Sequence, residues 1–126
     1  MSATATGHRA DVRQAFDELL DEAMRRRRIG GRLREPLQFR LDGRRWYAPD
    51  FLVVGGIGIP RPATMIQVLG GYVCDEALAD LKAAARQYPC FSWLVVSRDD
   101  GGGWLAHAVN GDGIGANPIR VPWIHG

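Results

Sequence analysis

Apolar residues recur along residues 9–28 at the spacing of one helix face. Val12, Phe16, Leu19, Leu20, Ala23 and Met24 form the stripe, and charged residues fill the rest. The pattern predicts an amphipathic helix that ends at Gly30-Gly31, just after a run of arginines. The small, polar residues 1–8 are expected to be disordered. The period then changes to two. Leu37, Phe39 and Leu41 alternate with polar residues, Asp42-Gly43 is a hairpin turn signal, and residues 44–54 return as a second strand ending in Phe51-Leu52-Val53-Val54. Residues 55–62, rich in Gly and Pro, read as a loop. Residues 64–69 are almost wholly apolar and predict a central strand. Leu78, Leu81, Ala85 and Tyr88 mark a second helix over 75–88, with Asp75-Glu76 in its first turn and Pro89 beyond its end. Residues 91–97 and 104–109 read as two further strands around a turn at 98–103, and 110–126 as a tail pinned by Trp123.

The resulting order is α-β-β-β-α-β-β. It predicts an α/β (α+β) fold, a mixed sheet of about five strands with a helix on each face. A chain of 126 residues suits one such domain, placed at 9–109 between a disordered N-terminus and the tail. Cys74 and Cys90 lack zinc-type spacing, and no apolar run approaches the ~18–20 residues of a membrane span. With no secretory leader in view, a soluble cytoplasmic protein with reduced thiols and no membrane partner is expected.

Charge sharpens this picture. The net charge is +2, but residues 1–45 hold eleven arginines against seven acids, and the remainder is net acidic. Arg25, Arg26, Arg27, Arg28, Arg32 and Arg34 crowd ten residues without an acid among them. Such a cluster suits a phosphate-facing, nucleic-acid-binding patch. It equally suits a solvated helix end, where cations favour the helix dipole.

Two segments carry candidate chemistry: Tyr47-Ala48-Pro49-Asp50-Phe51 and Ile66-Gln67-Val68-Leu69-Gly70-Gly71. The first resembles the "PDF" signature of the PD-(D/E)XK nuclease superfamily, and the second resembles its "(E/D)-x-K-G" strand. The likeness extends over roughly residues 10–107. Glu35-Pro36-Leu37, Tyr47, Pro49-Asp50-Phe51, Val68, Gly70 or Gly71, Lys82 and Tyr88-Pro89 follow the order seen in a compact phage and prophage group of that superfamily. Nucleases that cut transposon ends also look related, and in that branch the second acid can be Gln. The resemblance implies a restriction-endonuclease-like fold, and many relatives work as dimers.

Phosphodiester hydrolysis of that type needs hard oxygen ligands on adjacent strands to hold Mg²⁺ or Mn²⁺, and a cation near the developing charge. By the resemblance, Asp50 takes the place of the metal-binding Asp. Gln67 replaces the second acid, and Leu69 replaces the lysine. A glutamate expected on the first helix falls at Arg13, which reverses its charge. Lys82, the one lysine in the chain, could substitute for the missing cation if it reached the site, or could be an ordinary surface residue. Asp50 itself could simply cap a turn. His107, His8 and His125 read as structural or terminal residues, Trp46, Trp93 and Trp104 as core or sheet-face packing, and Cys74 as structural.

Three functions remain in view. The preferred one is a catalytically inactive, nuclease-like protein of phage or mobile-element origin that binds nucleic acid or a nucleoprotein complex, with no cofactor. The second is a divergent endonuclease using Asp50, Gln67 and Lys82, with Asp50 on Mg²⁺ or Mn²⁺. The third is a protein-binding inhibitor of a host defence complex.

Overall fold

The computed structural model describes residues 2–35, 37–56, 63–70 and 75–125, without the side chains of residues 2–10, Arg44 and Asp75. The chain runs α1 (Ser2–Arg25), β1 (Gly31–Arg34), β2 (Phe39–Arg40), a 3₁₀ turn (Asp42–Arg44), β3 (Trp46–Tyr47), β4 (Phe51–Val54) and β5 (Ala63–Leu69). It continues through α2 (Asp75–Gln87), β6 (Ser92–Arg98), β7 (Trp104–Asn110), β8 (Gly113–Ile114) and α3 (Pro122–His125). Six strands form one sheet in the order β1-β4-β5-β6-β7-β8, while β2 and β3 pair separately. Every neighbouring pair is antiparallel except β5 and β6, which are parallel and joined through α2. Parallel neighbours require such a crossover, because a tight turn cannot return the chain in the same direction.

The sheet is covered on both sides, as the sequence pattern predicts. On the α1 side, Phe16 and Leu20 pack with Phe51, Val53, Ile66, Val68, Leu94 and Val96. On the other side, Leu81, Ala84 and Ala85 of α2 pack with Leu52, Met65, Trp93 and Val95, together with Phe39, Leu41 and Tyr47 from the small hairpin. Successive residues of β5 and β6 alternate between these two cores. Both faces of those strands are buried, so they read as continuous apolar runs rather than alternating ones.

Several expectations are corrected. The segment 37–54 does not supply two strands of the main sheet. Its first part folds into the β2–β3 hairpin, and the antiparallel partner of β4 is β1, with Leu33 opposite Leu52. Gly31-Arg32-Leu33-Arg34 carries one apolar side chain and so has no strand signature. Its place depends on ion pairs from Arg32 to Asp17 and Asp21 on α1, which a local pattern cannot reveal. Among the described residues, eight strands in two sheets therefore replace the expected sheet of about five. The Asp42-Gly43 turn is where the sequence places it, with Gly43 at φ 76°.

The N-terminal segment also differs from expectation. From Ser2 onward the segment expected to be disordered is helical. Ala3 and Ala5 are strong helix formers, and adding turns to an established helix costs little compared with nucleating one. Trp123 pins the C-terminal segment, as the sequence predicts. Val121 and Trp123 are buried in the α1-side core, and Ile119 bridges to Ala106.

Helix α1 stops before the glycine pair. The Arg28 N–H donates to Ala23 O and the Arg27 N–H to Met24 O, with Arg27 at φ 57°. This is a Schellman end, which normally places Gly at the left-handed position. An L-residue there is crowded at its Cβ, so Arg27→Gly is expected to stabilise the fold by about 1 kcal/mol. A higher urea midpoint with an unchanged slope would show it; a lower midpoint would not fit.

Candidate functional site

The backbone places the site before any side chain does. The Asp50 N–H donates to Ile66 O at 2.9 Å, and Asp50 O accepts from the Glu35 N–H at 2.9 Å. Asp50 is thereby fixed at the entry of β4, between β1 and β5. Asp50 is 5% exposed, and Gln67 on β5 is 3% exposed.

A directed chain of hydrogen bonds joins them. The Tyr47 hydroxyl donates to Gln67 Oε1 at 2.7 Å. Gln67 Nε2 in turn donates to Asp50 Oδ2 at 3.2 Å, and the Val68 N–H donates to the same oxygen at 2.8 Å. The two ends of the amide are thus distinguished by their partners, an O–H donor on one side and a carboxylate on the other. A Glu at position 67 would set two carboxylates side by side in a buried place, which demands a cation or a shared proton. Gln67 removes that demand.

The other oxygen of Asp50 faces a cation from the protein itself. Arg13 Nε lies 3.5 Å from Asp50 Oδ1, and the same guanidinium is hydrogen-bonded to Glu35. It also sits 5.9 Å from the centre of the Phe51 ring. Arg13 therefore stands between two carboxylates, at the helix position where the family resemblance implies a glutamate. Its hydrogen bond and charge hold the Glu35 carboxyl below the usual glutamate range. That contribution is present at neutral pH and fades as pH falls through the lowered value.

The remaining candidates do not converge here. Lys82 is exposed on α2 and makes no ion pair among the described residues. Leu69, on the same face of β5 as Gln67, packs against the α2-side core. Among the described residues, no three His, Cys, Asp or Glu side chains are grouped to hold a metal ion.

The arginine run is not one cationic surface. Arg25 and Arg26 both pair with Glu22, whose carboxyl they hold below its ordinary value by direct hydrogen bonds. Arg32, with its side chain 8% exposed, pairs with Asp17 and Asp21, and Arg34 pairs with Asp17 at 2.8 Å. Arg28 donates to Pro122 O, and Arg27 is the exposed helix-end residue. Four of the six thus face carboxylates from α1. The acids that balance them lie one or two helical turns upstream in the sequence, outside the 25–34 window. A cavity of about 300 Å³ between α1 and β1 is lined by Arg13, Gln14, Asp17, Arg34 and Phe51, so its two cations also have acidic partners.

The histidines serve the fold. His107 Nδ1 donates to Gly115 O at 2.9 Å. His125 Nδ1 accepts the Val121 N–H at 2.8 Å, leaving Nε2 to donate to Trp104 O at 2.9 Å. Trp93 is buried, with its N–H on Tyr88 O, and Trp104 lies edge-on to Phe16, with the Arg98 guanidinium 4.5 Å from the Trp104 ring centre. Trp46 departs from the expected packing role: it is 58% exposed. The expected structural role of Cys74 and the Gly71 match lie outside the described residues, as does the side chain of His8.

Sequence reading missed two participants in the Asp50 cluster. Tyr47 was matched only as part of a motif, and its hydroxyl is the group that orients Gln67. Arg13 was seen only as a charge reversal, whereas it supplies the cation at the carboxylate. Among the described residues no helix is long and apolar enough to cross a membrane. No protein-family model matches the chain, and no curated protein matches it.

Asp50→Ala removes the acceptor of two described hydrogen bonds and the partner of Arg13. Unfolding free energy should fall on the order of 2–3 kcal/mol, read from urea denaturation. A loss below half a unit would mean that the carboxylate does not organise this corner. Gln67→Glu is expected to be most stable in acid. Its new carboxyl, beside Asp50, has a folded pKa raised above the unfolded one, so stability drops as pH rises from about 5 to 8. A variant with a flat profile over that range would contradict the close placement of the two side chains.

Proposed function

We propose that this protein is a catalytically inactive relative of the PD-(D/E)XK nucleases, and that it acts by binding nucleic acid or a nucleoprotein complex. Two features support the kinship. The chain runs helix, antiparallel meander β1-β4-β5, helix, then the parallel strand β6. Asp50 and Gln67 meet across the adjacent strands β4 and β5, as the resemblance implies.

The observation that carries inactivity is the occupation of Asp50. One carboxylate oxygen accepts from the Val68 N–H and the Gln67 amide, and the other faces the Arg13 guanidinium. A hard divalent ion needs several oxygen ligands, usually with more than one negative charge among them. Here the buried acid is single, its neighbour is a neutral amide, and a positive charge is already present. The residues do not fit a Mg²⁺ or Mn²⁺ centre, and no catalytic step follows from them. Lys82, exposed on α2 and without an ion pair among the described residues, does not supply the missing group.

Binding has positive charge to work with. Arg27, Arg40 and Arg86 are exposed and have no acidic partner among the described residues. Phosphate contacts of this kind give affinity that falls steeply with salt.

Fluorescence anisotropy with labelled duplex and single-stranded DNA at low and physiological salt tests the reading. Binding at low salt that weakens as salt rises is expected, and absence of binding at low salt removes the nucleic-acid role. In parallel, supercoiled plasmid should stay intact in Mg²⁺ or Mn²⁺. Cleavage by the wild type that is lost in a folded Asp50→Asn variant would make it an enzyme.

A further inference from the structure

The β2–β3 hairpin has two unlike faces. Phe39 lies opposite Tyr47, and both are buried against α2 and β6; Arg40 lies opposite Trp46, and both are exposed. Directly opposed residues share one side of a strand pair, with Cβ atoms about 4.5–5.5 Å apart. Trp46 and Arg40 therefore project from the same outward face of the hairpin.

The exposure of Trp46 is not explained by packing. Among the described residues no aromatic ring or cation lies against it, whereas Trp93 sits within an aromatic cluster and Trp104 lies between Phe16 and Arg98. Nor is Arg40 neutralised. Arg13, Arg25, Arg26, Arg32, Arg34 and Arg45 all face carboxylates, while Arg40 has none among the described residues.

The hairpin is also held rigidly. Phe39 packs edge-on against Tyr88, Phe91 and Trp93, with ring centres 4.9, 5.7 and 5.1 Å away. The Tyr88 hydroxyl donates to Arg40 O at 2.7 Å, and Arg45 pairs with Asp80 and Glu76 on α2. A surface fixed in this way loses little freedom when a ligand binds.

Resting on the nucleic-acid reading above, we infer that the outer face of the β2–β3 hairpin is a single-stranded nucleic-acid platform. A base stacks on the Trp46 indole, and the adjoining backbone phosphate pairs with Arg40. A flat π surface beside an uncompensated cation matches the two halves of a nucleotide: an uncharged ring and a negative charge one residue-width away. A duplex hides its base faces, so an unpaired strand is the better fit.

The test uses the full chain with a labelled oligothymidine of about twelve nucleotides and an abasic oligomer of equal length. The wild type should bind oligothymidine with quenching of tryptophan emission and bind the abasic strand more weakly. Trp46→Ala should weaken oligothymidine binding roughly tenfold and abolish most of the quenching, while Trp46→Phe retains most of the affinity. Arg40→Ala should weaken both ligands and reduce the salt slope by about one. Both positions are exposed, and unchanged urea midpoints would show that the variants remain folded.

If the wild type binds and Trp46→Ala binds equally well, the platform inference fails while nucleic-acid binding stands. If the wild type binds duplex but not single strands, the inference fails in the same way. No binding of any oligonucleotide at low salt overturns both. If Trp46→Ala loses a protein partner of the wild type yet keeps full oligonucleotide affinity, the face is a protein-docking site and the inference falls.

Discussion

A carboxylate buried at the entry of a strand must have its charge answered, and the way Asp50 is answered organises this end of the molecule. Its backbone ties β1 to β5 through Glu35 and Ile66, and its side chain engages the Val68 N–H, the Gln67 amide and the Arg13 guanidinium. Three strands and the long helix meet at one residue. An ion in that place would have needed further acids around it. Instead the protein supplies a permanent internal cation and a neutral amide, so the corner is closed without a ligand. The Gln67 amide and the Arg13 guanidinium keep this corner of the fold stable, because an unpaired buried carboxylate costs far more than a paired one.

Arginine has three distinct roles in this chain. Arg32 is nearly buried and binds edge strand β1 to α1 through Asp17 and Asp21, compensating for the strand's lack of apolar side chains. Arg25 and Arg26 meet Glu22 at the exposed helix end, where screening by solvent makes each pair worth little. Among the described residues Arg40 faces no acid, and it lies opposite the exposed Trp46 in the hairpin. Counting charge along the sequence treats these residues as equivalent. The ability of each to meet a phosphate depends on whether a carboxylate has reached it first.

The hairpin illustrates how one short segment serves packing and recognition together. Its inner pair, Phe39 and Tyr47, closes the α2-side core, and Tyr47 also orients Gln67 through its hydroxyl. Its outer pair is left to solvent. A period of two makes this division unavoidable: once Phe39 and Tyr47 face inward, Arg40 and Trp46 must face outward. A single strand over residues 44–54 would place Trp46 in the main sheet. The chain instead breaks at Ala48-Pro49, and β3 belongs to a separate two-stranded sheet.

The sequence alone determined the elements that carry their own periodicity. The stripe from Val12 to Met24, the apolar runs of β4, β5 and β6, and the spacing of Leu78, Leu81 and Ala85 fix the two main helices and the centre of a mixed sheet, because burial of one face or two leaves a repeat in the residues themselves. The motif strings likewise brought Asp50 and Gln67 into view as a pair. Tertiary structure alone decided the rest. Strand β1, the docking of Val121, and the partners of Arg13, Arg32, Arg34 and Arg45 rest on contacts between residues distant in the chain. Such contacts leave no local pattern: an arginine reads the same in the sequence whether it ends against an aspartate, a carbonyl or water.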